Sequence, residues 1–186
     1  WREDQMRRLG TMGTNSQESA NHRLHEQAFV VLAHDHKVRS EDLRQDLAGG
    51  VTAKVVQATI DGRAFSFDRA DYERSLYSTD GFMLDAMEAY DHIFTTIDTM
   101  PDDVFVVRRA ADIREAKRTG RLVLILGAEG GKLLEGSLAP LRNFYRLGMR
   151  HLQFHWAIRN QLGTAQSTPD EPGLTKFGRE VVAEMN

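Results

Sequence analysis

Apolar and polar positions follow two rhythms along the chain, and they alternate. FVVLAHDH (29–36) is a compact apolar run that turns polar only at its end, the pattern of a buried parallel strand delivering side chains to a site. SEDLRQDLAGG (40–50) has helical spacing, with Ser40 placed to cap it and Gly49-Gly50 to stop it. The β-branched residues of VTAKVVQATI (51–60) predict a second strand. From Asp80 onward Met83, Met87, Tyr90, Phe94 and Ile97 recur at spacings of four and three, one buried helix face closed by Pro101. DVFVV gives a short apolar run before a helix ending at Gly120, and RLVLILGAEGG (121–131) is the most strand-like segment of all. A helix over 137–147 leads through Gly148 into a fourth strand, MRHLQFHW (149–156). A polar loop with Pro169 and Pro172 then delivers the chain to a helix in LTKFGREVVAEMN (174–186), where Phe177, Val181 and Met185 share a face beside Val182.

Strand and helix alternate four times, which argues for an α/β fold with a parallel sheet. Polar residues with chemistry stand at or just beyond the strand ends: His34 and His36, Glu129, His155. A (β/α)8 TIM barrel builds its active site at the C-terminal ends of its strands. Four strands make half such a barrel, and a complete one takes about 250 residues. The expected organisation is therefore an N-terminal arm and helix over 1–28, with 1–15 polar and Ser16–Gln27 helical, then the first half of a barrel over 29–186. Residues 61–79 are expected to form a long excursion over the barrel end.

Composition narrows the chemistry. The 24 Lys and Arg against 27 Asp and Glu give a net charge of −3 without any long basic run, so neither nucleic acid nor an anionic membrane is favoured as partner. Cysteine is absent, which removes disulfides, thiolate nucleophiles and Cys-based zinc sites, and leaves His, Asp and Glu to hold any metal. WREDQMRRLG is too charged for a signal peptide, so a cytoplasmic location is favoured. The start at Trp1 and the stop directly after a helical pattern suggest that both ends are cut.

His34 and His36 lie two apart on extended backbone, so both imidazoles can face one ion, and imidazole is a preferred zinc ligand. A polar strand-to-loop turn is the bland alternative. Glu129 sits among glycines after an apolar strand, where burial of its charge calls for a cation opposite; a solvent-facing glycine turn explains it equally well in isolation. Two strands supplying His-x-His and Glu to one end of a sheet make a metal site. His155 is a candidate ligand or oxyanion donor, with a buried structural histidine as its alternative. His22, His25, His92 and His151 lack converging partners and read as surface residues.

The ordered segments AGGVTAKVV, LVLILGAEGG, GSLAPLRNFYRLGMRHLQFH and GLTKFGREVVAEMN resemble the membrane (renal-type) dipeptidase family, the zinc metallopeptidases M19, from about residue 29 to the last residue. The resemblance implies a (β/α)8 barrel whose complete enzyme holds two zinc ions and hydrolyses dipeptides by metal-activated water, often tolerating a D-residue at the C-terminal position. It further implies that Glu129 bridges the ions, that His34 and its neighbour bind metal, and that His155 contacts substrate. The remaining ligands would lie on strands five to eight, supplied by the same gene product or a separate subunit, and a homo-oligomer is expected. The family's His-x-Asp pair becomes His34-x-His36 here, the pairing of the wider amidohydrolase superfamily. A second register sets His36 on the family histidine and Val38 at the Asp. Other amidohydrolase-type reactions on a small amide or N-acyl amino acid, and a metal-depleted scaffold subunit, are the alternative functions.

Overall fold

The computed structural model describes residues 19–61, 81–156, 159–165 and 173–186, so the N-terminal arm, the excursion after the second strand and the loop with Pro169 and Pro172 lie outside the described residues. Residues 19–27 are helical. The elements that follow are β1 (Val31–Asp35), α1 (Ser40–Ala48), β2 (Ala53–Ile60), α2 (Phe82–Asp98), β3 (Val104–Val106), α3 (Ala110–Thr119), β4 (Leu122–Glu129), a 3₁₀ turn (Lys132–Leu134), α4 (Leu138–Leu147), β5 (Met149–Gln153) and α5 (Lys176–Met185).

All strand pairs are parallel, in the order β1, β2, β4, with β3 and β5 sharing the far side of β4. β3 takes its first half, Val104 opposite Leu122, and β5 its second, Leu126 opposite Met149. The four expected strands are thus neighbours in chain order, and the apolar run 104–106 adds a short fifth. β1 is not the buried strand that its apolar run predicts. It pairs only with β2 among the described residues, and Val31 is 47% exposed.

Alternation along β4 separates two apolar layers. Leu122, Leu124, Leu126 and Ala128 face the main core with Leu43 of α1, Tyr90 and Ile93 of α2 and Phe144 of α4, whereas Val123 packs with Ala53, Ala116 and Ile113 on the other face. Helix α3 therefore closes the inner face near the strand starts, and the helices do not all lie on one side. The core stripe of α2 is also rotated from the expected one: Phe82, Ala86, Tyr90 and Ile93 are buried, while Met83 and Met87 are 41% and 43% exposed. Phe82 takes the buried place, with its ring under the Lys132 ammonium, 4.9 Å from the centroid. Ser40 does not cap α1, since Arg39 occupies that position and the Ser40 hydroxyl meets Thr99 instead. In α5 Val181 is buried, but Val182 and Met185 are exposed.

Lys54, 1% exposed, reaches from the outer face of β2 to Asp35 Oδ2 at 3.0 Å and Asp46 Oδ2 at 2.7 Å. Replacing it with Met leaves two carboxylates facing each other without a cation. Lys54→Met is expected to cost about 3 kcal/mol or more, read from chemical denaturation of the intact protein; an unchanged midpoint would show that the triad is not what secures α1 to the sheet.

Candidate metal centre

The end of β1 is shaped by Asp35. Its Oδ1 accepts from the amides of His36 (2.7 Å) and Lys37 (2.9 Å), which tightens the turn, while its Oδ2 is held by Lys54. Burial works to raise the Asp35 carboxyl pKa, but the Lys37 amide and the Lys54 ammonium hold it below the usual range. The extended backbone leaves His34 and His36 on the same side, towards the inner face of the sheet. Glu129, the last residue of β4, lies on that face with Val123, Ile125 and Gly127, and reaches across β2 to both rings.

The three donor atoms converge. His36 Nε2 is 3.2 Å and His34 Nε2 3.5 Å from Glu129 Oε2, and the two Nε2 atoms are 3.2 Å apart. Ligands about 2.0–2.1 Å from a tetrahedral zinc ion stand roughly 3.3 Å from one another. The group therefore has the donor types and the spacing of a zinc site, and it is the His, Asp and Glu cluster among the described residues that could hold a metal. Sequence reasoning brought the same three residues together.

Two further features secure Glu129. Gly130, at φ 112°, turns the chain so that its amide and that of Gly131 donate to the Gln153 and Phe154 carbonyls. Buried Asp61, at the end of β2, accepts from the Lys132 amide at 2.8 Å and Asn160 Nδ2 at 2.6 Å. Burial pushes its pKa up, against those bonds.

His155 lies beyond the end of β5, which stops at Gln153, and lines a recess of about 490 Å³ with Glu129, Gln153, Phe154, Trp156, Thr164 and Ala165. Burial holds its imidazole below the ordinary range, opposed by the Gly163 carbonyl. His151 is not the surface residue expected from sequence. It is half-buried on the inner face, with Nδ1 3.2 Å from Gln57 Nε2, and burial and the neighbouring His34 depress its pKa. Its strand gave no hint, because its partners come from β2 and β4. His22, His25 and His92 are exposed, and His25 meets the Gly49 carbonyl.

A model of the membrane dipeptidase family (peptidase family M19) matches residues 22–186. The chain belongs to that family. Among curated relatives, Dipeptidase verJ of Clonostachys rogersoniana is 32% identical over 102 residues, 54% of this chain and 26% of that protein. Dipeptidase tcpJ of Claviceps purpurea (strain 20.1) is 32% identical over 107 residues, 56% of this chain and 25% of its own length. Among solved structures, an amidohydrolase from Pseudomonas aeruginosa superposes with a TM-score of 0.69 at 24% identity, covering 88% of this chain and 44% of that one. A Rhodobacter sphaeroides metallopeptidase, liganded with a phosphinate mimic of the dipeptide L-Ala-D-Ala, gives 0.63 at 20% identity, covering 84% and 55%. The chain thus spans about half the length of these solved relatives, and its parallel sheet is part of the TIM-barrel fold of this dipeptidase and amidohydrolase group.

Proposed function

We propose that the intact protein is a zinc-dependent hydrolase of dipeptides, with His34, His36 and Glu129 as metal ligands. The observation that carries this reading is the convergence of two imidazole nitrogens and one carboxylate oxygen at 3.2–3.5 Å from separate strands. Zinc held there by His34, His36 and Glu129 would polarise a scissile carbonyl and acidify a water. Glu129 supplies the negative charge that offsets the cation. His155, on the wall of the recess that Glu129 also lines, donates to the oxygen on which charge develops. The peptide is held in that recess, and the names of the relatives support a dipeptide as the substrate class.

The remaining barrel strands and zinc ligands come from polypeptide beyond these 186 residues. The outer edges of β1 and β5 lack strand partners among the described residues, and a cavity of about 720 Å³ opens beside β5 between Leu141, Tyr145 and Arg150 on one side and Met185 on the other. Unpaired parallel edges are covered or closed in natural folds.

The test is zinc analysis of the intact protein together with turnover of a panel of dipeptides and N-acyl amino acids. Stoichiometric zinc with dipeptide hydrolysis supports the proposal; faster turnover of N-acyl amino acids moves the reading to another amidohydrolase reaction, and a zinc-free protein inert towards all of them sinks it. Residues 1–186 purified alone are expected to show no hydrolysis and to self-associate. A monomeric, fully active fragment would contradict the half-barrel reading.

A further inference from the structure

Beneath the three donor atoms, the inner face of the sheet carries a second polar layer made of Gln57, His151 and the Nδ1 side of His34. Gln57 lies on β2, the strand that Glu129 has to cross, and it touches both candidate histidines. Its main-chain carbonyl is 3.2 Å from His36 Nδ1. Its side-chain Nε2 is 3.4 Å from His34 Nδ1 and 3.2 Å from His151 Nδ1. Room for the carboxamide exists because residue 127 is glycine: a Cβ there would come within 2.8 Å of Gln57 Oε1 and 3.0 Å of His151 Nδ1.

We propose that Gln57 is the positioning residue of the metal site, its main chain fixing His36 and its carboxamide fixing His34 so that both present an Nε2 lone pair to the ion. This deepens the zinc-hydrolase reading and rests on it. A carbonyl oxygen only accepts, so the contact with His36 requires a proton on Nδ1, and a neutral ring then has its lone pair on Nε2, the atom facing Glu129. This half of the arrangement is already set for a metal.

His34 is set differently. With the amide nitrogen donating to Nδ1, the neutral ring carries its proton on Nε2, where it can bridge to His36 Nε2 at 3.2 Å. In this orientation His34 presents an N–H, not a lone pair, to an ion. Meanwhile Gln57 Oε1 is buried and has no hydrogen-bond partner among the described residues. A half-turn of the carboxamide exchanges donor for acceptor at nearly unchanged shape, and brings this oxygen to the two Nδ1 atoms. His34 then donates from Nδ1 and frees Nε2. The ring gives up one proton at Nε2 and takes one at Nδ1 through solvent, so its charge is unchanged. The orphaned oxygen is the acceptor that the loaded state needs.

The experiment labels the histidines of the intact protein with ¹⁵N and reads each tautomer from two-bond ¹H–¹⁵N correlations, before and after zinc is added. His36 should be Nδ1–H throughout, and His34 should pass from Nε2–H to Nδ1–H. Zinc affinity, measured by chelator competition, should fall about 10–100-fold in Gln57→Leu, the range for losing a partner behind a metal-bound histidine. The His36 tautomer should survive that change, because its partner is main chain. Gln57→Glu, which keeps an acceptor, should hold affinity within about threefold of wild type. Wild-type affinity in Gln57→Leu, equal losses in Leu and Glu, or a shared shift of both histidines would each overturn the role of Gln57. A wild-type protein that takes up no zinc overturns the hydrolase reading itself, and the role of Gln57 with it.

Discussion

Glu129→Gln in the intact protein should remove most of the bound zinc and depress dipeptide turnover by at least about a thousandfold. The substitution keeps the shape of the side chain and removes its charge. The donors this chain then keeps are two neutral imidazoles, and one unit-charge interaction near a protein surface is worth about 4 kcal/mol at close range, close to three decades in an equilibrium or a rate. The cation at this site is doubly charged, so the figure is a lower bound. Folding should be little affected, since the turn after Glu129 is held by the Gly130 and Gly131 amides and by Asp61, and none of these bonds uses the Glu129 carboxylate. Metal content, turnover and the denaturation midpoint measured on one preparation separate the outcomes. Normal turnover at normal zinc content would show that Glu129 is not a ligand.

Much of this could be read from the chain, and where the reading failed the cause is physical. A strand seen from sequence has two faces but no neighbours. The alternation of β4 therefore revealed a buried strand ending in a carboxylate, and the spacing of His34 and His36 revealed a shared side. It could not reveal that His151 faces Gln57, because that contact joins residues 94 apart through parallel pairing. Lys54 and Gln57 read as ordinary polar positions in a β-branched run, yet alternation sends one outward to Asp35 and Asp46 and the other inward beneath the site. In α2 the periodicity was correct while its phase was not: methionine and phenylalanine compete for adjacent positions on the wheel, and only the partner surface, here Lys132 and the main core, decides between them. Asp61 had no signal at all, since its partners are a main-chain amide of one loop and a side chain of another.

Gly130→Ala should be the most damaging single methyl in the described chain near the site, at about 5 kcal/mol of stability with loss of zinc uptake. The backbone there has φ 112°, a region costing an L-residue roughly 1–3 kcal/mol. Unlike an exposed positive-φ glycine, it also has no room: an added Cβ would overlap the Asp61 carboxyl group. Overpacking adds about 1–3 kcal/mol. Asp61 cannot retreat without giving up the Lys132 amide and Asn160, and a buried donor left without its acceptor costs about 1–3 kcal/mol more. The displacement falls on the residue after Glu129, so the carboxylate moves away from His34 and His36. Gly136 is the control. Its φ is 74° and an added Cβ meets nothing within 4 Å among the described residues, so Gly136→Ala should cost only the backbone strain, about 1 kcal/mol, and leave zinc binding intact. If the two variants unfold at the same denaturant concentration, the contact between Asp61 and the Gly130 turn is not what holds Glu129 in place.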